Sequence, residues 1–144
     1  MNTRLSAALA LSGGMAIVWL VPYAAAWLWQ APWTTPLVRW LRLSFPESEL
    51  PVFAMSGMLP VFLTAFIVGA LVFTFRGTTK AVFALLAAPF VIYSLVLDVG
   101  FWFAAGSSIS AAISRPYPWL VAIAVPVGLA VALLVSRVKV RSAA

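Results

Sequence analysis

The chain has 144 residues, 65% of them hydrophobic and only 8% charged, where soluble domains carry roughly 25% charged residues; its mean hydropathy is +1.10. Composition excludes a water-soluble core and leaves the lipid bilayer as the apolar environment. With no Cys, no His and three carboxylates, the chain lacks the groups that run thiol, haem, zinc and most proton-shuttle chemistry, so the expectation is a non-catalytic protein with no cofactor and no metal.

Four apolar runs, 5–29, 51–75, 81–105 and 119–136, are separated by short segments that hold most of the charge. A helix of about 20 apolar residues crosses about 30 Å of hydrocarbon. Lipid cannot satisfy backbone polar groups, so the runs must be helices, and they lack the alternation of a membrane β-barrel. The expected architecture is all-α and integral to the membrane: residues 1–144 form a single transmembrane domain, a four-helix bundle of left-handed, antiparallel packing.

The first run begins after Arg4 and passes Ala24, Ala25 and Ala26, which imitate a signal-peptide cleavage site. The run continues through Trp27 and Trp29, so a retained helix is expected. Ala8, Ser12 and Ala16 recur every four residues, beside a second stripe of Ser6, Ala10 and Gly14. Small residues at that spacing let helix backbones approach closely.

The loop after the first run, 32–50, has room for a short helix lying in the interface. Leu37, Trp40, Leu41 and Ser44 are expected to share its apolar face, with Arg39 and Arg42 together on another, reaching headgroup phosphates. Pro36 suits the first turn of this helix, and Pro46 would end it. Glu47 and Glu49 then sit near the start of the second span, where the helix dipole favours negative charge. A surface that docks a partner outside the membrane is the other reading of this loop.

The second and third runs are joined by a tight turn from Arg76 to Lys80. The third holds Asp98, the one ionisable residue well inside an apolar run and hence a functional candidate. Eighteen residues separate Asp98 from Lys80, about 27 Å along a helix. That depth is close to the outer boundary, where Asp98 can pair with Arg115, Arg39 or Arg42, face a partner, or relay a cation. On the last run Ala124, Gly128, Ala132 and Ser136 recur every four residues. This stripe is expected to pack against that of the first helix, or against another subunit. Each run also carries a proline, Pro22, Pro60, Pro89 or Pro126, which frees the carbonyl four residues earlier. These kinks shape a bundle or, in the alternative, line a cation site.

With both termini in the cytoplasm, the inner side holds Arg4, Arg76, Lys80, Arg137, Lys139 and Arg141, six cations against three outside (Arg39, Arg42, Arg115). The positive-inside rule favours this orientation. The +6 charge then faces anionic lipid, and no nucleic acid is needed. Trp27, Trp29, Trp33, Trp40, Trp102, Trp119 and Tyr117 gather near the outer interface.

Four-helix exporters that work through a glutamate in the first span do not fit, because this first span has no acid. The expected function is an accessory, assembly or immunity-like subunit of a larger inner-membrane complex. It would hold another membrane protein through helix packing and an aromatic outer rim, with Trp40 and Trp102 in that rim. A small transporter or channel component is the alternative, as a homo-oligomer with Asp98 and the kinked helices in the pathway.

Overall fold

A computed structural model of the chain describes residues 3–44, 46, 57–76, 79–114 and 116–141; of 3, 75, 76, 98, 112, 116–118 and 137–141 it describes the backbone alone. Among the described residues the protein is all-helical. In chain order the helices are α1 (Thr3–Gln30), α2 (Thr34–Ser44), α3 (Leu59–Arg76), α4 (Lys80–Ala104), α5 (Ile109–Ile113) and α6 (Pro116–Arg141).

Three of these contain segments long and apolar enough to cross a membrane: Arg4–Gln30, Lys80–Ala104 and Trp119–Ser136. The chain is a membrane protein by that criterion. The fourth apolar helix, Leu59–Thr74, is shorter. The expected second span began at residue 51, but 51–56 lie outside the described residues; a π-helical turn at Gly57 and Met58 leads into α3. The last helix runs past the expected end of its span and keeps Arg137, Lys139 and Arg141 on helical backbone.

Local signals account for the boundaries. Thr79 caps α4, its hydroxyl accepting from the Val82 N–H at 3.2 Å. At the other end Gly106 takes a φ of 84°, which a side chain would disfavour. The Gly106 N–H donates to the Phe103 carbonyl and the Ser107 N–H to that of Trp102. That pair of bonds is a Schellman stop. Ser108 then caps α5, a short helix not anticipated from the hydropathy pattern, by accepting from the Ala111 N–H.

Pro60 is buried at the second position of α3, just after the π-helical turn. Its carbonyl accepts the Thr64 hydroxyl at 2.7 Å. Pro22, Pro89 and Pro126 do lie inside helices.

The four long helices pack in a definite pairing. α1 lies against α3 and α4, and α6 lies against the same two. The expected pairing of the first and last spans is therefore corrected: among the described residues α1 and α6 make at most marginal contact. Both face α3 and α4 instead. The most extensively packed pair, α3 and α6, joins the second and fourth apolar runs, which a chain alternating in direction across a membrane sets parallel. Gly128 sits beside Phe62, Ala65 and Phe66, and Gly69 beside Leu129 and Ala132. Residue numbers rise together along both helices, so the two run parallel. The shared core is apolar, with Ala10, Ile17, Ala65, Leu86, Val125 and Leu129 fully buried.

Candidate functional site

Small residues set how closely the helices approach, and their contacts fall on faces that differ from those expected. On α6, Ala124, Gly128 and Ala132 are buried and Ser136 half-buried. The stripe faces α3. A methyl group added to Gly128 would lie 2.6 Å from the Phe62 carbonyl oxygen and 3.3 Å from the Phe66 nitrogen, so backbone meets backbone there. On α1, Ala8 and Ser12 are exposed and Ala16 half-buried, whereas Ala10 and Gly14 of the neighbouring stripe are buried.

Gly14 meets α4 at its internal proline. A methyl on it would lie 2.7 Å from the Pro89 ring, 2.8 Å from the Leu86 carbonyl oxygen and 2.9 Å from that of Leu85. Leu85 is the residue whose carbonyl loses its helical donor to Pro89. The hydrogen that Gly14 has in place of a methyl points at that carbonyl, a weak Cα–H···O contact of the kind found at helix interfaces. The freed carbonyl is thus turned onto a neighbouring helix. Ser56, whose carbonyl Pro60 would free in the same way, lies outside the described residues; Ser94 is buried.

The polar candidates gather at the α1–α2 corner. Thr34 opens α2 and is buried, and its hydroxyl donates to the Leu28 carbonyl near the end of α1. The Thr34 N–H donates to Ala31 at 3.0 Å, and the Ala31 N–H to Leu28 at 3.2 Å. These bonds use carbonyls that the end of α1 would leave orphaned, and they fix the rotation of α2. Thr34 turns inward with the half-buried Leu37, Val38 and Leu41. Trp40 and Ser44 are exposed, Trp40 by 62%. Ser44 bonds back to the Trp40 carbonyl at 3.1 Å.

Arg39 and Arg42 are exposed on α2 and line an open cavity of about 450 Å³ together with Trp29, Thr35, Val38 and Leu43. Sequence reading found the two cations together but missed Trp29 and Thr35 as their neighbours. The signal for Thr34 was present, since threonine just before a helical pattern is a capping residue.

Of the expected ion pair, the Asp98 side chain and Arg115 lie outside the described residues, as do Glu47 and Glu49. Asp98 itself is on helical backbone, one turn before Trp102. Trp102 is half-buried, with the Phe101 ring edge-on at 5.4 Å and 81°. Trp119 ties α6 to α5 by donating its ring N–H to the Ile113 carbonyl at 2.8 Å. Trp27, Trp29, Trp33 and Trp119 are exposed, and so is Trp19, 70% open at mid-helix, where lipid or another protein must cover it.

No protein-family model, curated protein or solved structure matches this chain. The reading of the site therefore stands on its geometry.

Proposed function

We propose that the chain is a four-helix transmembrane bundle of a bacterial-type inner membrane, with both termini cytoplasmic and α2 lying along the outer interface. Its role in this reading is non-catalytic: an accessory, assembly or immunity-like subunit that holds another membrane protein. The supporting observation is the filling of the helix seams. A conduction path needs polar groups or water along its length, and the described core is chiefly apolar, built of residues such as Ala10, Ile17, Val61, Leu86, Val125 and Leu129, with Thr64 and Ser94 as the buried polar side chains of the long helices. The hydroxyl of Thr64 is used by the Pro60 carbonyl of its own helix, and the freed Leu85 carbonyl faces Gly14. Close backbone packing of this kind favours a rigid body that presents its outside to a partner.

The outside suits such a role. Trp27, Trp29, Trp33, Trp40 and Trp119 are exposed at helix ends and corners, where amphipathic rings seat a protein at the interface and serve as anchors for a bound subunit. Asp98, one helical turn from Trp102, belongs to the same surface in this reading.

Asp98→Asn tests the assignment against transport. A partner-facing or structural carboxylate makes the variant lose association or stability. A carboxylate in a pathway makes it lose ion or solute flux in reconstituted vesicles while yield and assembly stay intact, and that second result would reject the accessory reading.

A further inference from the structure

The cavity at the α1–α2 corner has the composition of a site for one particular chemistry. Its two cations are three residues apart on α2 and so project from one helical face. Among the described residues neither forms an ion pair, and α1 and α2 contain no carboxylate at all. Thr35 adds an exposed hydroxyl beside them. The rest of the lining is apolar: Trp29 from the last turn of α1, with Val38 and Leu43 from α2. Guanidinium groups match phosphate oxygens in pairs and stay charged at any physiological pH.

We infer that this cavity binds the phosphate of an anionic glycerophospholipid, with the glycerol and upper acyl region against Trp29, Val38 and Leu43. A free phosphate would use the two arginines and the threonine but would leave the apolar half of the lining bare. A lipid satisfies both halves, because it carries a phosphate and apolar chains in one molecule and the lining offers cations and apolar side chains together. The site follows the end of a membrane-crossing helix by a three-residue turn, 31–33, which is the depth of headgroups. At about 450 Å³ it falls in the range of small-ligand pockets, enough for a headgroup and its glycerol rather than a whole lipid. The Thr34 hydroxyl ties the start of α2 to the Leu28 carbonyl of α1, one residue before Trp29, and Arg39 and Arg42 line the same cavity as that ring.

The inference rests on α2 lying at the membrane boundary, and it is independent of whether a partner subunit exists. The test uses the full chain in neutral detergent, titrated with phosphatidylglycerol or phosphatidylcholine and read by native mass spectrometry of the lipid-bound species. The expected result is one phosphatidylglycerol held in preference to phosphatidylcholine. R39Q/R42Q should weaken it by on the order of tenfold, while R4Q, at the opposite end of α1, leaves it unchanged. Both arginines are exposed and outside the core, so helicity by circular dichroism should match the wild type. Equal losses in R39Q/R42Q and R4Q would overturn the site in favour of general charge attraction. Displacement of the lipid by millimolar inorganic phosphate would overturn the lipid assignment and leave a soluble phosphate as the ligand. Absence of any phosphatidylglycerol preference in the wild type would overturn both.

Discussion

Gly128→Ala adds a single methyl group where α6 meets the backbone of α3. The new carbon would start 2.6 Å from the Phe62 carbonyl oxygen, 3.1 Å from the Ala65 Cβ and 3.3 Å from the Phe66 nitrogen. An ordinary carbon–oxygen contact at a helix interface is about 3.3–3.6 Å, so the two backbones must part by about 0.7–1.0 Å. A gap of that order forfeits roughly a quarter to a half of the dispersion energy of each atom pair along the seam. Overpacking costs about 1–3 kcal/mol, and the better helix propensity of Ala returns up to about 1 kcal/mol. The expected net effect is a loss of about 1–2 kcal/mol. Gly100 supplies the control, because a methyl there meets nothing within 4 Å; Gly100→Ala should be neutral or slightly stabilising. Reversible unfolding in mixed micelles of rising dodecyl sulfate fraction, followed by circular dichroism, measures both. Equal stability of the two variants would refute close α3–α6 packing.

Gly14→Ala should be at least as damaging, since two of the three atoms its methyl would meet are backbone oxygens; Pro89→Ala should relieve part of the loss in a double-mutant cycle by removing the ring that crowds it. Thr34→Val keeps the shape of the side chain but leaves the Leu28 carbonyl without its hydroxyl donor, an expected cost of about 1–2 kcal/mol in the same unfolding assay. The absence of native cysteine allows a clean topology test. Single cysteines at Asn2 and Ser142 should react with a membrane-impermeant maleimide only after the inner face is opened, and one at Thr35 should react in intact cells.

Hydropathy located the long helices well because crossing lipid is a demand on composition and length alone. Pairing was not legible in the same way. The first span carries two interleaved small-residue stripes, Ala8–Ser12–Ala16 and Ser6–Ala10–Gly14, with identical spacing. Only the neighbours decide which one is buried, and α3 and α4 take up Ala10 and Gly14. The apolar spacing on α2 likewise did not encode which side meets the protein: Thr34, Leu37, Val38 and Leu41 turn toward it and Trp40 stays outside, with the Thr34 hydroxyl bonded to the Leu28 carbonyl. The cavity beside Arg39 and Arg42 needed Trp29 from a different helix, a juxtaposition that no local spacing encodes.

The central claim is that this chain works as part of a larger membrane assembly. Purification of the full chain at native expression level in mild detergent, followed by mass determination of the intact complex, tests it most directly. A second membrane protein in fixed stoichiometry, released by Asp98→Asn or by loss of the exposed tryptophans, is the result expected. A lone chain or a complex built only of copies of itself would contradict the account and move the inquiry to flux measurements.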